Sequence, residues 1–116
     1  MPQPFGQTLS AADFHVLLVL CEGDLYGYAI LKAVEEESRG RVRPDLGALY
    51  RALARLGSAG LVQPVPPPPS AEKRPGKPRR YYGITPAGRR ILGQEVKRMQ
   101  EALVLAERRL GLQETP

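Results

Sequence analysis

Apolar residues at helical spacing predict four helices along the chain. The first follows Ser10 to Asp13, which has the form of a capping box with Asp in place of Glu. The second is centred on Tyr28 to Val34, and the third follows Asp45, whose side chain can cap it. The fourth begins at Thr85-Pro86, a capping residue followed by proline at the first helical position, and runs to about Gly111.

Two short stretches have the composition of β-strands. They are Leu61 to Gln63 and Arg80 to Ile84, which contain β-branched and aromatic residues and could pair with each other. The loop from Pro64 to Arg79 between them carries Pro66 to Pro69 and then several basic residues. Because proline cannot donate a backbone hydrogen bond, we expect no regular structure in this loop.

The order of elements predicts the fold class. Three helices, a strand, a basic loop, a second strand and a last helix form the sequence of elements in a winged helix-turn-helix. We therefore predict a mainly α fold with a small β-hairpin. Residues 1–84 would form the winged helix-turn-helix, with the wing loop at residues 64–80, and residues 85–116 would form a long C-terminal dimerisation helix.

The fourth predicted helix carries a narrow apolar seam that favours pairing with another helix. Its apolar residues recur at alternating spacings of four and three, which is the pattern of coiled-coil seams. The first helix is apolar on two sides, so it also has a face left for a partner. We expect a homodimer, although packing within one monomer is the alternative. The predicted interface residues are Phe14, Leu18, Leu92, Val96, Met99, Leu103 and Leu110.

Positive charge is concentrated in the middle of the chain. The formal net charge is +5, and residues 41–90 hold eleven Lys and Arg against two acidic residues. A local basic surface suggests a phosphate backbone or another anionic surface as partner. Cys21 is the only cysteine, which argues against a disulfide-stabilised secreted fold. No apolar run approaches the ~20 residues of a membrane span, so we expect a cytoplasmic protein that does not contact the membrane.

The third helix and the wing supply candidate DNA contacts. Arg51 and Arg55 lie four residues apart, and a guanidinium can form two hydrogen bonds with guanine or with phosphate. Ala48 on the same face would allow close approach to DNA. Strand alternation allows at most one tyrosine of the pair at 81 and 82 to reach DNA. The predicted DNA-binding residues are Tyr50, Arg51, Arg55, Lys73, Lys77, Arg79, Arg80 and Tyr81.

Patterns of catalytic or metal-binding residues are weak. His15 is the only histidine, and it lies six residues before Cys21 on one helix, so the two side chains would point to different faces. This arrangement favours neither a nucleophile with its base nor a zinc site. There is also no glycine-rich phosphate loop. We expect a protein that is not an enzyme and binds no metal or cofactor.

A second class of function stays open at this point. A dimeric winged helix could use its basic face to bind an acidic partner protein without reading DNA. Pro66 to Pro69 could also act as a polyproline ligand.

Three stretches of the chain resemble signature segments of PadR-type transcriptional regulators. They are Leu17 to Tyr28, Pro44 to Leu56 and Arg79 to Arg89, which stand here in the order and spacing found in that family. The resemblance covers about residues 9–110. The single final helix is similar to that of the short subgroup of the family.

The resemblance implies a homodimeric bacterial repressor that binds a palindromic operator and pairs through its first and last helices. Several family members respond to a phenolic or drug-like effector, so a small aromatic effector is a further expectation. Its pocket would lie between these helices, near Phe14 and Met99. The chain departs from the family pattern at Asp45, at Ala48, where Thr is usual, and in its longer proline-rich wing. We therefore expect its operator contacts to differ.

Overall fold

Four helices and a small antiparallel sheet make up residues 9–71 and 79–112, the part of the chain that the computed structural model describes. This confirms the predicted mainly α fold with a β-hairpin. In chain order the elements are α1 (Ala11–Leu20), β1 (Leu25–Tyr26), α2 (Gly27–Glu37), α3 (Leu46–Ser58), β2 (Val62–Val65), β3 (Tyr81–Ile84) and α4 (Pro86–Leu110).

Local capping determines where three of the helices begin. The hydroxyl of Ser10 accepts a hydrogen bond from the backbone N–H of Asp13 at 3.1 Å. The carboxylate of Asp45 accepts one from Ala48 at 2.7 Å, and the Thr85 hydroxyl accepts one from the third helical residue at 2.9 Å. These bonds satisfy N–H groups that have no partner within the helix. The predicted starts of α1, α3 and α4 are therefore confirmed.

The sheet contains a strand that the sequence analysis did not predict. Its order is β1-β3-β2, with Leu25 opposite Tyr82 and Tyr26 opposite Tyr81. β3 is the central strand, and both of its tyrosines are buried, at 7% and 8% exposure: Tyr82 lies in the core, and Tyr81 packs against Tyr26 of β1. A strand of two residues is too short to show the alternation by which strands are recognised in sequence.

The core lies where α1, α2 and α3 meet in front of the sheet and the first turns of α4. The predicted leucine stripe of α3 is buried at positions 49, 53 and 56 but not at Leu46, which is 47% exposed. Leu46 is the first residue of α3, so it extends beyond the core. The largest fully buried side chains are Leu17, Leu20, Ile30, Leu49, Leu56, Val16 and Val34.

A short connector sets the position of α3 relative to α2. Arg39 and Gly40 have positive φ angles of 55° and 78°, which turn the chain out of α2. The hydroxyl of Ser38 then accepts a hydrogen bond from the backbone N–H of Val42 at 2.9 Å. This hydrogen bond stabilises the turn between α2 and α3.

Glu95 connects α4 to the residue that precedes α1. Its carboxylate is nearly buried and accepts hydrogen bonds from Arg98 Nη2 at 2.7 Å and Arg98 Nε at 3.1 Å. It also accepts one from the backbone of Leu9. The hydrogen bonds from Arg98 lower the pKa of Glu95 below its usual value, and they outweigh the opposing effect of burial.

This lowered pKa gives a testable pH dependence. A carboxylate whose pKa falls on folding stabilises the folded protein above its unfolded pKa, about 4.3 for glutamate. That contribution is lost as the pH falls through the lower folded value. We expect Glu95→Gln to reduce the free energy of unfolding at pH 6 and to have a smaller effect at pH 3. Urea unfolding of both proteins at the two pH values measures the difference, and a constant effect would contradict it.

Candidate nucleic-acid interface

The exposed side of α3 carries Arg51 among small residues, with Tyr50 and Arg55 exposed on its two flanks. Leu49, Leu53 and Leu56 point into the core, so the opposite side of the helix faces solvent. Arg51 lies there and forms no ion pair with any described residue. Because its neighbours are short, a groove of DNA could approach the helix backbone closely. These neighbours are Gly47, Ala54 and Ser58.

Arg55 lies on the flank of α3 that faces α1, where it has a partner within the chain. Its Nη2 atom donates to Oδ1 of Asp13 at 2.5 Å, and the Asp13 side chain is only 4% exposed. The sequence predicts Arg55 on the solvent face as a DNA contact, and its side chain is indeed 51% exposed. The structure adds that its guanidinium is also held by a buried carboxylate, 42 residues away along the chain.

Tyr50 lies on the other flank of α3, against the first residue of α2. A Cβ atom at Gly27 would come within 2.8 Å of Cζ of Tyr50, so the ring can lie there only because this residue is glycine. The ring is nevertheless 44% exposed. Tyr50 therefore joins the two helices of the helix-turn-helix and keeps one edge available to a ligand.

The predicted DNA-binding residues at the base of the wing differ in their exposure and contacts. Arg80 is exposed, whereas the guanidinium of Arg79 lies 4.2 Å from the ring centre of Tyr26. Tyr81 packs edge-on against the same ring, with centroids 5.5 Å apart. Since Tyr81 is buried, its expected DNA contact does not agree with its position. The expected contacts of Lys73 and Lys77 lie outside the described residues.

Asp13 is the residue of this region that the sequence analysis did not assign to a site. Its position three residues after Ser10 indicates only a helix start. The arginine that it binds comes from another helix, and spacing along the chain carries no signal for such a pair.

The predicted dimer interface divides into a buried and an exposed part. Leu92 is 5% exposed and belongs to the core of the monomer, so it cannot present a side chain to a partner. Its position corrects that part of the prediction: the first turns of α4 pack on α1. Phe14, Leu18 and Val96 are half-buried. Farther along α4 the apolar side chains of Met99, Leu103 and Leu110 are exposed.

The sequence profile of the transcriptional regulator PadR-like family matches residues 16–94 of the chain. The protein belongs to this family. The match includes the whole helix-turn-helix, the described parts of the wing and the first turns of α4. The resemblance found in the three sequence stretches is therefore confirmed.

Solved structures of PadR-family regulators resemble this one. A PadR family transcription regulator from Clostridium difficile is 27% identical, with a TM-score of 0.63, and the alignment covers 90% of this chain and 100% of that one. Bacillus subtilis PadR, solved in complex with operator DNA, has a TM-score of 0.62 at 20% identity, with 75% and 47% of the two chains covered. At that identity the second similarity establishes only the shared fold.

The chain is also similar in sequence to a protein from Streptomyces fradiae. That protein is described as an uncharacterized 37.1 kDa protein in transposon TN4556 and is 42% identical over 88 residues. The alignment covers 76% of this PadR-like chain but only 23% of the relative, so the chain spans about a quarter of that protein.

The described residues of this PadR-like regulator contain neither a membrane-spanning helix nor a metal-binding cluster. None of its described helices has the length and apolar character needed to cross a membrane. Within residues 9–71 and 79–112, His, Cys, Asp and Glu side chains form no group of three that could hold a metal ion.

Proposed function

We propose that this PadR-like regulator is a homodimeric repressor that binds a palindromic DNA operator through α3. The observation that carries the proposal is Arg51, an arginine without an ion-pair partner among the described residues, on a helix face of small side chains. An exposed guanidinium on such a face suits two hydrogen bonds with the O6 and N7 atoms of guanine in the major groove. The operator complex of Bacillus subtilis PadR, which has the same fold, supports this use of the domain.

Backbone contacts would come from residues beside α3. Arg80 at the base of the wing can neutralise a phosphate, and Tyr50 can reach the backbone with its exposed edge. Lys73 and Lys77 stay as predicted phosphate contacts of the wing loop. In this proposal residues 1–84 form the DNA-binding unit, and residues 85–116 form the dimerisation helix.

The exposed apolar part of α4 supports the dimer. Met99, Leu103 and Leu110 lie within one stripe of the helix and are 43–69% exposed. A second copy of the chain, related by a two-fold axis, would bury this stripe against the same stripe of its partner. Two copies of α3 would then face two half-sites of opposite orientation, which is why the operator should be palindromic.

We propose in addition that a small aromatic effector binds between α1 and α4 and releases the operator. Phe14, which is half-buried, and Met99, which is exposed, would form the apolar walls of its pocket. Titration of the protein–operator complex with a panel of phenolic compounds tests this proposal. Release by none of them would contradict it.

Selection from a random duplex library at about 150 mM salt tests the main proposal. We expect the bound pool to contain a two-fold symmetric motif whose half-sites lie about one helical turn, roughly 10 base pairs, apart. A bound pool without any motif would overturn the proposal. Binding of an acidic partner protein by the basic face would then be the function to test.

Arginine substitutions separate base reading from backbone binding. Arg51→Ala is expected to cost about 1–3 kcal/mol on the operator and to relax specificity at one position of each half-site. Arg80→Ala should weaken binding to all sequences and lower the salt slope by about one, because it removes a phosphate contact. Fluorescence anisotropy with operator and random duplexes at several salt concentrations measures both effects.

The control for these two variants is Arg90→Ala. Arg90 is also exposed, but it belongs to α4 rather than to α3 or the wing. It should bind both duplexes like the wild type. Equal losses of Arg51→Ala on operator and random DNA would remove its assignment to base reading.

A further inference from the structure

The ion pair between α1 and α3 differs from the exposed pair between α2 and the connector that follows it. Asp13 is 4% exposed and bonds directly to Arg55 at 2.5 Å. Arg43 and Glu35, by comparison, are 69% and 41% exposed and lie 3.5 Å apart. An exposed pair of that kind contributes little, whereas a buried carboxylate requires its partner. Asp13 therefore constrains the guanidinium that it binds.

A surface hollow lies beside this ion pair, in front of the core that α1 and α3 share. The hollow, of about 210 Å³, opens between the two helices. Its lining is Ala12, Val16, Pro44, Ala48, Leu49, Arg51, Ala52 and Arg55. Val16 and Leu49 belong to the core behind the hollow, and nearer the surface the ion pair is a direct polar contact between α1 and α3.

We propose that Arg55 is a positioning residue: bound to Asp13, it fixes the orientation of α3 on α1 and thereby aims Arg51 at its base. Arg55 lies one helical turn after Arg51, so any tilt of α3 at Arg55 also moves Arg51. Since hydrogen bonds to a base edge tolerate only small displacements, loss of the pair reduces sequence discrimination. The inference rests on the proposed DNA-binding function.

A direct role of Arg55 in DNA binding predicts the opposite behaviour. If Arg55 bound phosphate, Asp13 would compete with DNA for the same guanidinium. Removing the Asp13 charge would then release a cation and strengthen binding to every duplex. The two roles therefore differ in the sign of the effect of Asp13→Asn.

The experiment uses the full chain and four sets of substitutions. Asp13→Asn removes the charge with little change of shape, and the double variant Asp13→Asn with Arg55→Gln removes both charges without leaving a buried carboxylate unpaired. Arg55→Lys retains the positive charge. Glu35→Gln with Arg43→Gln is the control, since it removes the exposed pair. Affinities for operator and random duplexes are measured over a salt series, below the unfolding temperature of each variant.

We expect Asp13→Asn to lower the ratio of operator to random affinity by about tenfold, with an unchanged salt slope. The ratio of the double variant should fall no further than that of Asp13→Asn alone, because both remove the same interaction. The ratio of Arg55→Lys should lie between those of the double variant and the wild type, and the ratio of the control should equal that of the wild type.

Three results would overturn the inference. They are an unchanged ratio in Asp13→Asn, tighter binding of all duplexes by that variant, and a salt slope lowered by about one in the double variant. Failure of the proposed function looks different, because the wild type itself would then show no preference for any duplex.

Discussion

Leu103→Glu is expected to convert the proposed dimer into a monomer. Leu103 is 57% exposed at the middle of the apolar stripe of α4. In a two-fold dimer the substitution places two carboxylates close together in an apolar interface, which costs several kcal/mol, of the order of 3 or more. Size-exclusion chromatography with light scattering at micromolar concentration measures the change in mass. Operator affinity should fall as well, since the two half-sites would no longer be bound by one linked unit.

Val104→Glu is the matched control for this variant. Val104 is the next residue and is 48% exposed, but it points about 100° away from the stripe. The same charge at this position should leave the dimer intact. Dissociation by both substitutions, or by neither, would contradict an interface centred on the stripe.

Gly88→Ala is expected to destabilise the protein by about 3 kcal/mol, because the new methyl group has no space. The first turn of α4 crosses the chain at Leu61 so closely that a Cβ atom would overlap the Leu61 carbonyl group. It would also lie 2.7 Å from Cγ1 of Ile84. The neighbouring Thr85 fixes this crossing by donating from its backbone N–H to Leu61 at 3.0 Å and from its hydroxyl to Gly60 at 2.6 Å. Urea unfolding followed by circular dichroism gives the free energy of unfolding.

The control for this substitution is Gly93→Ala, five residues farther along the same helix. A Cβ atom at Gly93 meets nothing within 4 Å. Alanine there should increase the free energy of unfolding by about 0.5–1 kcal/mol, because it has the better helix propensity. Equal free energies of unfolding for the two variants would show that the close crossing at Leu61 does not limit the size of residue 88.

The sequence by itself was sufficient for features that depend on neighbouring residues. Ser10, Asp45 and Thr85 cap helices through hydrogen bonds to a residue three positions later, so each start is encoded within one turn. Gly111, with a φ of 67°, ends α4 for an equally local reason. The order of these elements and three family segments then identified the fold and the family.

The tertiary structure decided which of these residues are free to act. Arg51 and Arg55 are alike in the sequence, yet only Arg55 meets a buried carboxylate, which α1 supplies. Leu92 and Leu103 share one stripe of α4, but the rest of the domain covers only the first of them. The pairing of β1 with β3 buries Tyr81 in the same way. Each of these outcomes depends on a partner far away along the chain, and the pattern of neighbouring residues does not encode such a partner.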